Sequence, residues 1–168
     1  LEIEDVVTPK DVLQYMNSLY HAVNAVAELS GPPLAERRVM LDFASRAETA
    51  SRPGMDAALV GLMGASALES SKLEAWVPEW KSAFEMAMQN HRADVCIHAT
   101  RVNYYEKAFA AMLGSEKPVC ALWPLFHTWT LAANVLSDDE LGAWRSACGE
   151  LGLGWVGFDQ RVSGLDHF

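Results

Sequence analysis

Five polar residues recur at helical spacing in the middle of the chain: His91, Asp94, His98, Arg101 and Tyr105. Successive members are three or four residues apart, so a continuous α-helix would align their side chains in one stripe. Apolar residues border this stripe, which places its imidazoles at the edge of a core. The pKa of a half-buried imidazole is readily tuned for acid–base chemistry near neutral pH.

Three interpretations of this stripe are open. Its members could bind a ligand or catalyse a reaction, or two imidazoles and a carboxylate could supply three ligands to Zn or Fe. They could also be structural, because a histidine at the border of an apolar face is usually a packed core residue. Asp94, four residues before His98, would then form an ordinary intrahelical pair. We give most weight to the structural interpretation, and we expect no bound metal and no cofactor.

A second set of polar residues occurs in a segment that otherwise lacks charged side chains, at His127, Thr130 and Asn134. On a helix these three lie opposite the apolar face. They could line an internal pocket together with the first stripe, or they could face water. The catalytic residues stay unknown, and the candidate ligand-binding residues are the members of both stripes: His91, Asp94, His98, Arg101, Tyr105, His127, Thr130 and Asn134.

Arg92 and His98 also fit the pattern Arg-x(4–6)-His. In this motif the chain resembles the HEPN nucleases, small all-α proteins in which an Arg and a His at a helix start cleave RNA. The resemblance implies that His98 is a general acid or base and that Arg92 stabilises the phosphorane charge. It covers only the segment from Arg92 to His98, and Ala93 stands where the family has a polar residue.

Other motifs with established chemistry are missing from the sequence. It contains no Gly-rich phosphate loop, no G-x-S-x-G, no H-E-x-x-H, no EF-hand loop and no E-x-x-H pair. The three cysteines, Cys96, Cys120 and Cys148, are far apart, which excludes a C-x-x-C metal or redox motif. They favour buried thiols in a reducing, cytoplasmic compartment, and the missing motifs favour a protein that is not an enzyme.

The composition indicates a folded, acidic domain. The chain has 168 residues, of which 51% are hydrophobic, and its 13 basic and 22 acidic side chains give a net charge of −9. This length suits a single domain over residues 1–168 with a continuous core. The apolar content excludes an intrinsically disordered chain, and the negative charge argues against a surface that neutralises DNA phosphates.

Helical patterns dominate the sequence, and no segment alternates like a β-strand. Thr8–Asp11, Ser71–Glu74 and Ser137–Glu140 are N-terminal capping patterns, although Pro78 is expected to interrupt the helix after the second. We predict an all-α, single-domain bundle of six to eight helices without a sheet. Its helices are expected after Thr8 and over residues 34–51, 55–70, 79–113 with a break near Asn90, 117–136 with a kink at Pro124, and after Ser137 and from Trp155 onward.

Residues 118–137 contain no Asp, Glu, Lys or Arg and are long enough to cross a membrane. The Pro, His, Thr and Asn residues within this stretch favour a buried core helix instead. The chain begins without Met and ends at 166–168 inside a helical pattern. We therefore expect a processed chain or a domain of a longer protein.

Two functions of different classes fit this sequence. The first is a non-catalytic interaction, regulatory or accessory module that binds a protein partner or forms a homo-oligomer through an apolar face. The second is a small-molecule-binding or catalytic bundle with its site between the two polar stripes. Because catalytic motifs are missing, we expect the first.

Overall fold

A computed structural model describes residues 7–165 of the chain. This part folds around one hydrophobic core and contains no β-strand, which confirms the all-α bundle predicted from the sequence. Three short 3-10 helices precede α2, α6 and α7, at Glu36–Arg38, Pro118–Ala121 and Asp138–Glu140. The eight α-helices are α1 (Pro9–Ala27), α2 (Val39–Thr49), α3 (Met55–Leu62), α4 (Ser70–Ala87), α5 (Ala99–Leu113), α6 (Leu122–Ala133), α7 (Gly142–Glu150) and α8 (Trp155–Leu165).

Two of the predicted capping patterns form. Thr8 Oγ1 accepts a hydrogen bond from the Asp11 amide at 3.3 Å, and the Asp11 carboxylate accepts one from the Thr8 amide at 2.9 Å. These two bonds satisfy amides that have no helical partner and fix the start of α1. Ser137 and Glu140 form the same reciprocal arrangement before α7.

The third helix is shorter than predicted, because it ends at Leu62 rather than near Ser70. Gly64 has a φ of 74°, in the left-handed region that ends helices. A Cβ at Gly64 would lie 1.8 Å from the Leu151 carbonyl oxygen, so this glycine also lets the segment after α7 approach closely. The helix predicted over 34–51 begins late for a different reason, since a 3-10 helix occupies residues 36–38 before α2.

Two prolines disturb their helices less than predicted. α4 continues through Pro78. This residue has no amide hydrogen to donate to the Glu74 carbonyl, but Pro78 and Glu74 both lie on the exposed face of the helix. The capping box expected at Ser71 does not form, since α4 already begins at Ser70. Pro124 lies in the first turn of α6, where an amide has no helical acceptor, so it marks the helix start rather than a kink.

α6 is the centre of the fold and is buried on almost every side. It packs against α1, α4, α5 and α7, and among its 12 residues only His127 and Leu131 are partly exposed. The prediction that residues 118–137 contain a buried core helix is therefore confirmed. In the range 7–165, no helix is both long enough and apolar enough to cross a membrane.

Two threonines of α6 provide hydrogen-bond partners for buried tryptophans of the neighbouring helices. Thr128 Oγ1 accepts a hydrogen bond from Trp80 Nε1 of α4 at 2.9 Å. Thr130 Oγ1 accepts one from Trp144 Nε1 of α7 at 3.0 Å. Each hydroxyl in turn donates to a carbonyl one turn earlier in α6, so the indoles and the hydroxyls are all satisfied without water.

Two arginines bind carbonyl groups at the ends of helices. Arg46 donates to the carbonyls of Ala27, at 2.6 Å, and of Pro32, at 2.7 Å, just beyond α1. Arg161 of α8 donates to the Gly61 carbonyl at the end of α3 and, at 3.3 Å, to the Leu151 carbonyl after α7. A cation is favoured at these positions because C-terminal carbonyls have no helical donor and carry the negative end of the helix dipole.

Some predictions concern residues outside the described range. The expectation of a longer protein rests on residues 1–5 and 166–168, which lie outside 7–165. It stays a prediction from the sequence.

We expect Thr130→Val to lower the free energy of unfolding by about 1–3 kcal/mol, because valine keeps the shape but leaves Trp144 Nε1 buried without an acceptor. Thr130→Ser is the matched control, since it keeps the hydroxyl and loses one methyl group, at a cost of about 1 kcal/mol. Urea unfolding followed by tryptophan fluorescence measures both values. A valine variant as stable as the serine variant would contradict a structural role for this hydroxyl.

Candidate functional site

The first polar stripe is interrupted by a loop over residues 88–98 between α4 and α5. This loop confirms the break predicted near Asn90. The Asn90 side chain donates a hydrogen bond to the Val135 carbonyl at 2.9 Å and accepts one from the Arg92 amide at 2.9 Å. These bonds to the backbone replace the bonds that would continue the helix. The prediction of a single helical face that carries all five polar residues is therefore wrong.

The loop carries His91 and Asp94, and His98 lies at its end, whereas Arg101 and Tyr105 lie in α5. His91 is exposed on the loop, and His98 is exposed at the start of α5. His98 Nδ1 accepts a hydrogen bond from the Thr100 amide at 3.4 Å and lies 3.2 Å from Thr100 Oγ1. In this position His98 caps α5, which is a structural use of its ring nitrogen.

The second polar stripe does not form either, because α6 has no polar face. Thr130 is fully buried and is occupied by the hydrogen bonds to Trp144 and Phe126. Asn134 is exposed just after the helix end. His127 is the member of this set that reaches the surface while remaining largely buried, with 18% of its side chain exposed.

Four of the predicted residues nevertheless come together, with two that were not predicted. His127 Nε2 lies 3.1 Å from Glu36 Oε1, in the 3-10 helix before α2. The Asp94 carboxylate acts electrostatically on His127, and the Arg101 guanidinium acts on both Tyr105 and Cys96. We refer to this group as the His127 cluster, which comprises Glu36, Asp94, Cys96, Arg101, Tyr105 and His127.

The charge of His127 is set mainly by its burial. Burial lowers the pKa of His127 below its ordinary value, because removal from water disfavours the imidazolium ion. The carboxylates of Glu36 and Asp94 act in the opposite direction and raise it, but by less. The imidazole is therefore neutral at neutral pH, beside two acidic side chains.

Cys96 is not activated as a nucleophile in this cluster. Burial raises the pKa of the Cys96 thiol, and the Asp94 carboxylate raises it further, while Arg101 opposes both. Asp94 also accepts a hydrogen bond from the Cys96 amide at 2.8 Å, which holds the carboxylate beside the thiol. Since the thiolate is the reactive form of cysteine, the raised pKa keeps this thiol mainly in its protonated, less reactive form at neutral pH.

A cleft of about 220 Å³ adjoins the His127 cluster and shares Tyr105 with it. Its more exposed rim is formed by Arg37, Arg38 and Tyr104, and its more buried interior is largely apolar. We refer to it as the Arg37 cleft. Its lining residues are Arg37, Arg38, Leu41, Tyr104, Tyr105, Ala108, Met112 and Pro124.

Tyr105 joins the cleft to the cluster, and its hydroxyl is not used by the fold. Burial raises the pKa of Tyr105 to about 12, so the hydroxyl keeps its proton. Among residues 7–165 this hydroxyl has no hydrogen-bond partner, whereas the other three tyrosine hydroxyls each contact a carbonyl or a guanidinium. Tyr105 can therefore donate a hydrogen bond to a bound molecule.

Two larger clefts also contain charged residues, but those side chains already form hydrogen bonds or ion pairs within the protein. The cleft of about 600 Å³ between α3 and α8 contains Arg161, which already donates to two carbonyls. The cleft of about 500 Å³ at the start of α4 contains Lys72 and Glu150, whose charged atoms pair at 3.0 Å, and Glu69, which accepts a hydrogen bond from Ser71 at 3.4 Å. The Arg37 cleft is smaller, but its rim offers a cation and a hydroxyl for recognition.

Among residues 7–165, no three His, Cys, Asp or Glu side chains lie close enough together to hold a metal ion. The predicted pair of His91 and His98 cannot supply ligands together with Asp94 as one helical stripe, since the loop intervenes.

Sequence reasoning missed Glu36, Arg37 and Tyr104. Glu36 and Arg37 lie far from the two stripes along the chain, and no local motif relates them to His127 or Tyr104. Tyr104 directly precedes a predicted residue, and its position next to Arg101 on α5 was the available indication.

The chain matches no protein-family model, no curated protein and no solved structure. The resemblance to the HEPN nucleases therefore rests on Arg92 and His98 alone. Arg92 lies exposed on the loop and His98 caps α5, so the roles that the resemblance implies for them stay predictions.

We expect the free energy of unfolding to decrease as the pH falls from about 7.5 to about 5.5. The folded state keeps His127 neutral, whereas the unfolded chain takes up this proton near pH 6.5, as an ordinary histidine does at about that value. His127 therefore makes its full contribution to the free energy of unfolding above about pH 6.5. This contribution is lost as the pH falls through the lower pKa of the folded state.

Urea titrations of the parent, His127→Gln and His91→Gln proteins across this range measure that dependence. His127→Gln is expected to flatten the pH profile, and His91→Gln, which replaces an exposed imidazole, is the matched control. Identical profiles for the parent and His127→Gln would contradict a buried, neutral His127.

Proposed function

We propose that this chain is a helical ligand-binding module that takes a small molecule into the Arg37 cleft. The observation that carries this proposal is the cleft itself, which combines an apolar interior with a rim of polar groups. Sites for small molecules are typically concave and mostly apolar, with a few polar groups that fix the orientation of the ligand. The 220 Å³ would hold about seven water molecules, or one small ring with a polar substituent.

The position of the cleft also supports the proposal. It adjoins the cluster that contains Asp94, Arg101 and His127, and these residues come from a loop and two different helices. Polar groups from separate segments that converge beside one concavity are typical of binding sites. We propose binding without covalent chemistry, because the nearby Cys96 thiol is held in its protonated form.

A protein-interaction role is the second candidate, and Val95 favours it. This side chain is 92% exposed on the loop between α4 and α5, next to Cys96 of the His127 cluster. A partner that covers this side chain would remove its apolar surface from water, which favours association. We propose a second copy of the chain as its partner. Sedimentation at increasing concentration tests this, because a constant monomer mass would contradict it and a mass increase abolished by Val95→Ser would support it.

The ligand-binding proposal predicts that some members of a library of small rigid molecules raise the midpoint of thermal unfolding. A ligand at about ten times its dissociation constant stabilises the folded state by about 1.4 kcal/mol, which corresponds to a shift of about 3–6 °C for a domain of this size. Ala108→Phe fills the cleft and is expected to abolish these shifts.

Ala111→Phe is the matched control, because it adds the same side chain to the exposed side of α5, outside the lining of the cleft. It is expected to retain the shifts seen with the parent protein. Shifts that survive in Ala108→Phe would place the bound molecules elsewhere and would contradict the proposal.

A further inference from the structure

The two adjacent arginines of the Arg37 cleft differ in how their charges are used. Arg38 forms two hydrogen bonds to the Asp42 carboxylate, at 2.7 and 2.8 Å, so its charge is neutralised within the protein. Arg37 has no carboxylate within ion-pair distance in the described part of the chain. Its guanidinium instead donates a hydrogen bond to the Tyr104 hydroxyl. The rim of the cleft therefore carries an unneutralised cation.

A second unneutralised arginine flanks the same tyrosine. The guanidinium carbons of Arg37 and Arg101 lie 5.7 and 5.9 Å from the centre of the Tyr104 ring, within the range of cation–π attraction. Arg101, like Arg37, forms no ion pair with a carboxylate of residues 7–165. These two cations beside one ring give the rim of the cleft a positive charge, while the Glu36 carboxylate acts electrostatically on the neighbouring Tyr105.

The interior of the cleft has the opposite character. Apart from Tyr105, its partly or fully buried lining consists of apolar side chains, from Leu41, Ala108, Met112 and Pro124. An apolar ring or short chain fits this lining, because contact with it removes apolar surface from water. The Tyr105 hydroxyl, which has no partner in residues 7–165, can donate to an anionic oxygen.

The geometry points to a small organic carboxylate as the ligand of this cleft, with its apolar body inside and its carboxylate at Arg37. This inference rests on the proposed function, since it names the chemical class that the cleft binds. A planar guanidinium matches a carboxylate through two parallel hydrogen bonds, which favours a carboxylate over a neutral group of the same shape. Tyr104 holds the Arg37 guanidinium through its hydroxyl, and Arg101 adds a second positive charge beside the Tyr104 ring.

Benzoate, benzamide and benzamidine test the charge preference, because they share one ring and nearly one shape but are anionic, neutral and cationic. Titrations followed through the methyl signals of Leu41, Ala108 and Met112 measure binding within the cleft. Benzoate is expected to bind with a millimolar dissociation constant, as suits a molecule of this size. Benzamide is expected to bind about tenfold more weakly or worse, and benzamidine more weakly still.

Variants of Arg37 test which residue carries the preference. Arg37→Gln is expected to weaken benzoate binding about tenfold or more, while Arg37→Lys, which keeps the charge but loses the planar fork, is expected to lose less. Arg52→Gln is the matched control, since it removes the same charge from an exposed arginine outside the cleft. Equal weakening by Arg37→Gln and Arg52→Gln would overturn the assignment to Arg37.

The outcomes separate this inference from the proposed function. If benzamidine or benzamide perturbs the cleft methyl groups as strongly as benzoate does, the cleft is a ligand site but the preference for a carboxylate is wrong. If none of the three perturbs those signals while other library molecules do, the carboxylate is again wrong and the proposed function stands. If no molecule of either set binds there, both are wrong.

Discussion

The hydrogen bonds between the threonines of α6 and the tryptophans of its neighbours allow this helix to be buried at the centre of the molecule. A buried polar group without a partner costs about 1–3 kcal/mol, a large part of the 5–15 kcal/mol that stabilises a typical domain. Thr128 and Thr130 remove that cost for Trp80 and Trp144, and they attach α4 and α7 to α6. The indole of Trp123 shows the alternative, because its Nε1 is buried and has no partner in the described residues. The same burial locates the candidate site, since His127 is the polar residue through which α6 reaches the surface.

The parts of the fold that could be predicted are those determined by local sequence. Reciprocal caps at Thr8 and Ser137, and the break near Asn90, involve groups a few residues apart, so their patterns are visible in the sequence. The errors arose where distant parts of the chain decide the outcome. α3 ends at Leu62, just before Gly64, where Leu151 approaches closely, and α4 passes Pro78 because that face of the helix is exposed. The residues next to the glycine or the proline in the sequence indicate neither condition.

The candidate site was predictable to a similar degree. Arg101 and Tyr105 of α5 do belong to the His127 cluster, to which Cys96 and Glu36 link them, as polar residues at the border of an apolar face suggest. Thr130 misled the prediction because a threonine inside a helix can satisfy its hydroxyl through a carbonyl of the preceding turn and accept a bond from a neighbouring indole. Arg37 could not be found, because its significance depends on the absence of a carboxylate near it in space. Such an absence is a property of packing and has no pattern in the sequence.

The attachment of α8 has a consequence for how the molecule opens. None of the α8 residues from Gly157 to Gly164 is fully buried; Arg161 donates hydrogen bonds to the ends of α3 and α7, and the Phe158 ring packs against Tyr15. Segments with few buried apolar contacts open at a lower free energy than the core to which they attach. We therefore expect α8 to separate from the bundle in a local opening that leaves α6 and its tryptophan contacts intact. Its backbone amides would then exchange with solvent deuterium before those of the central helix.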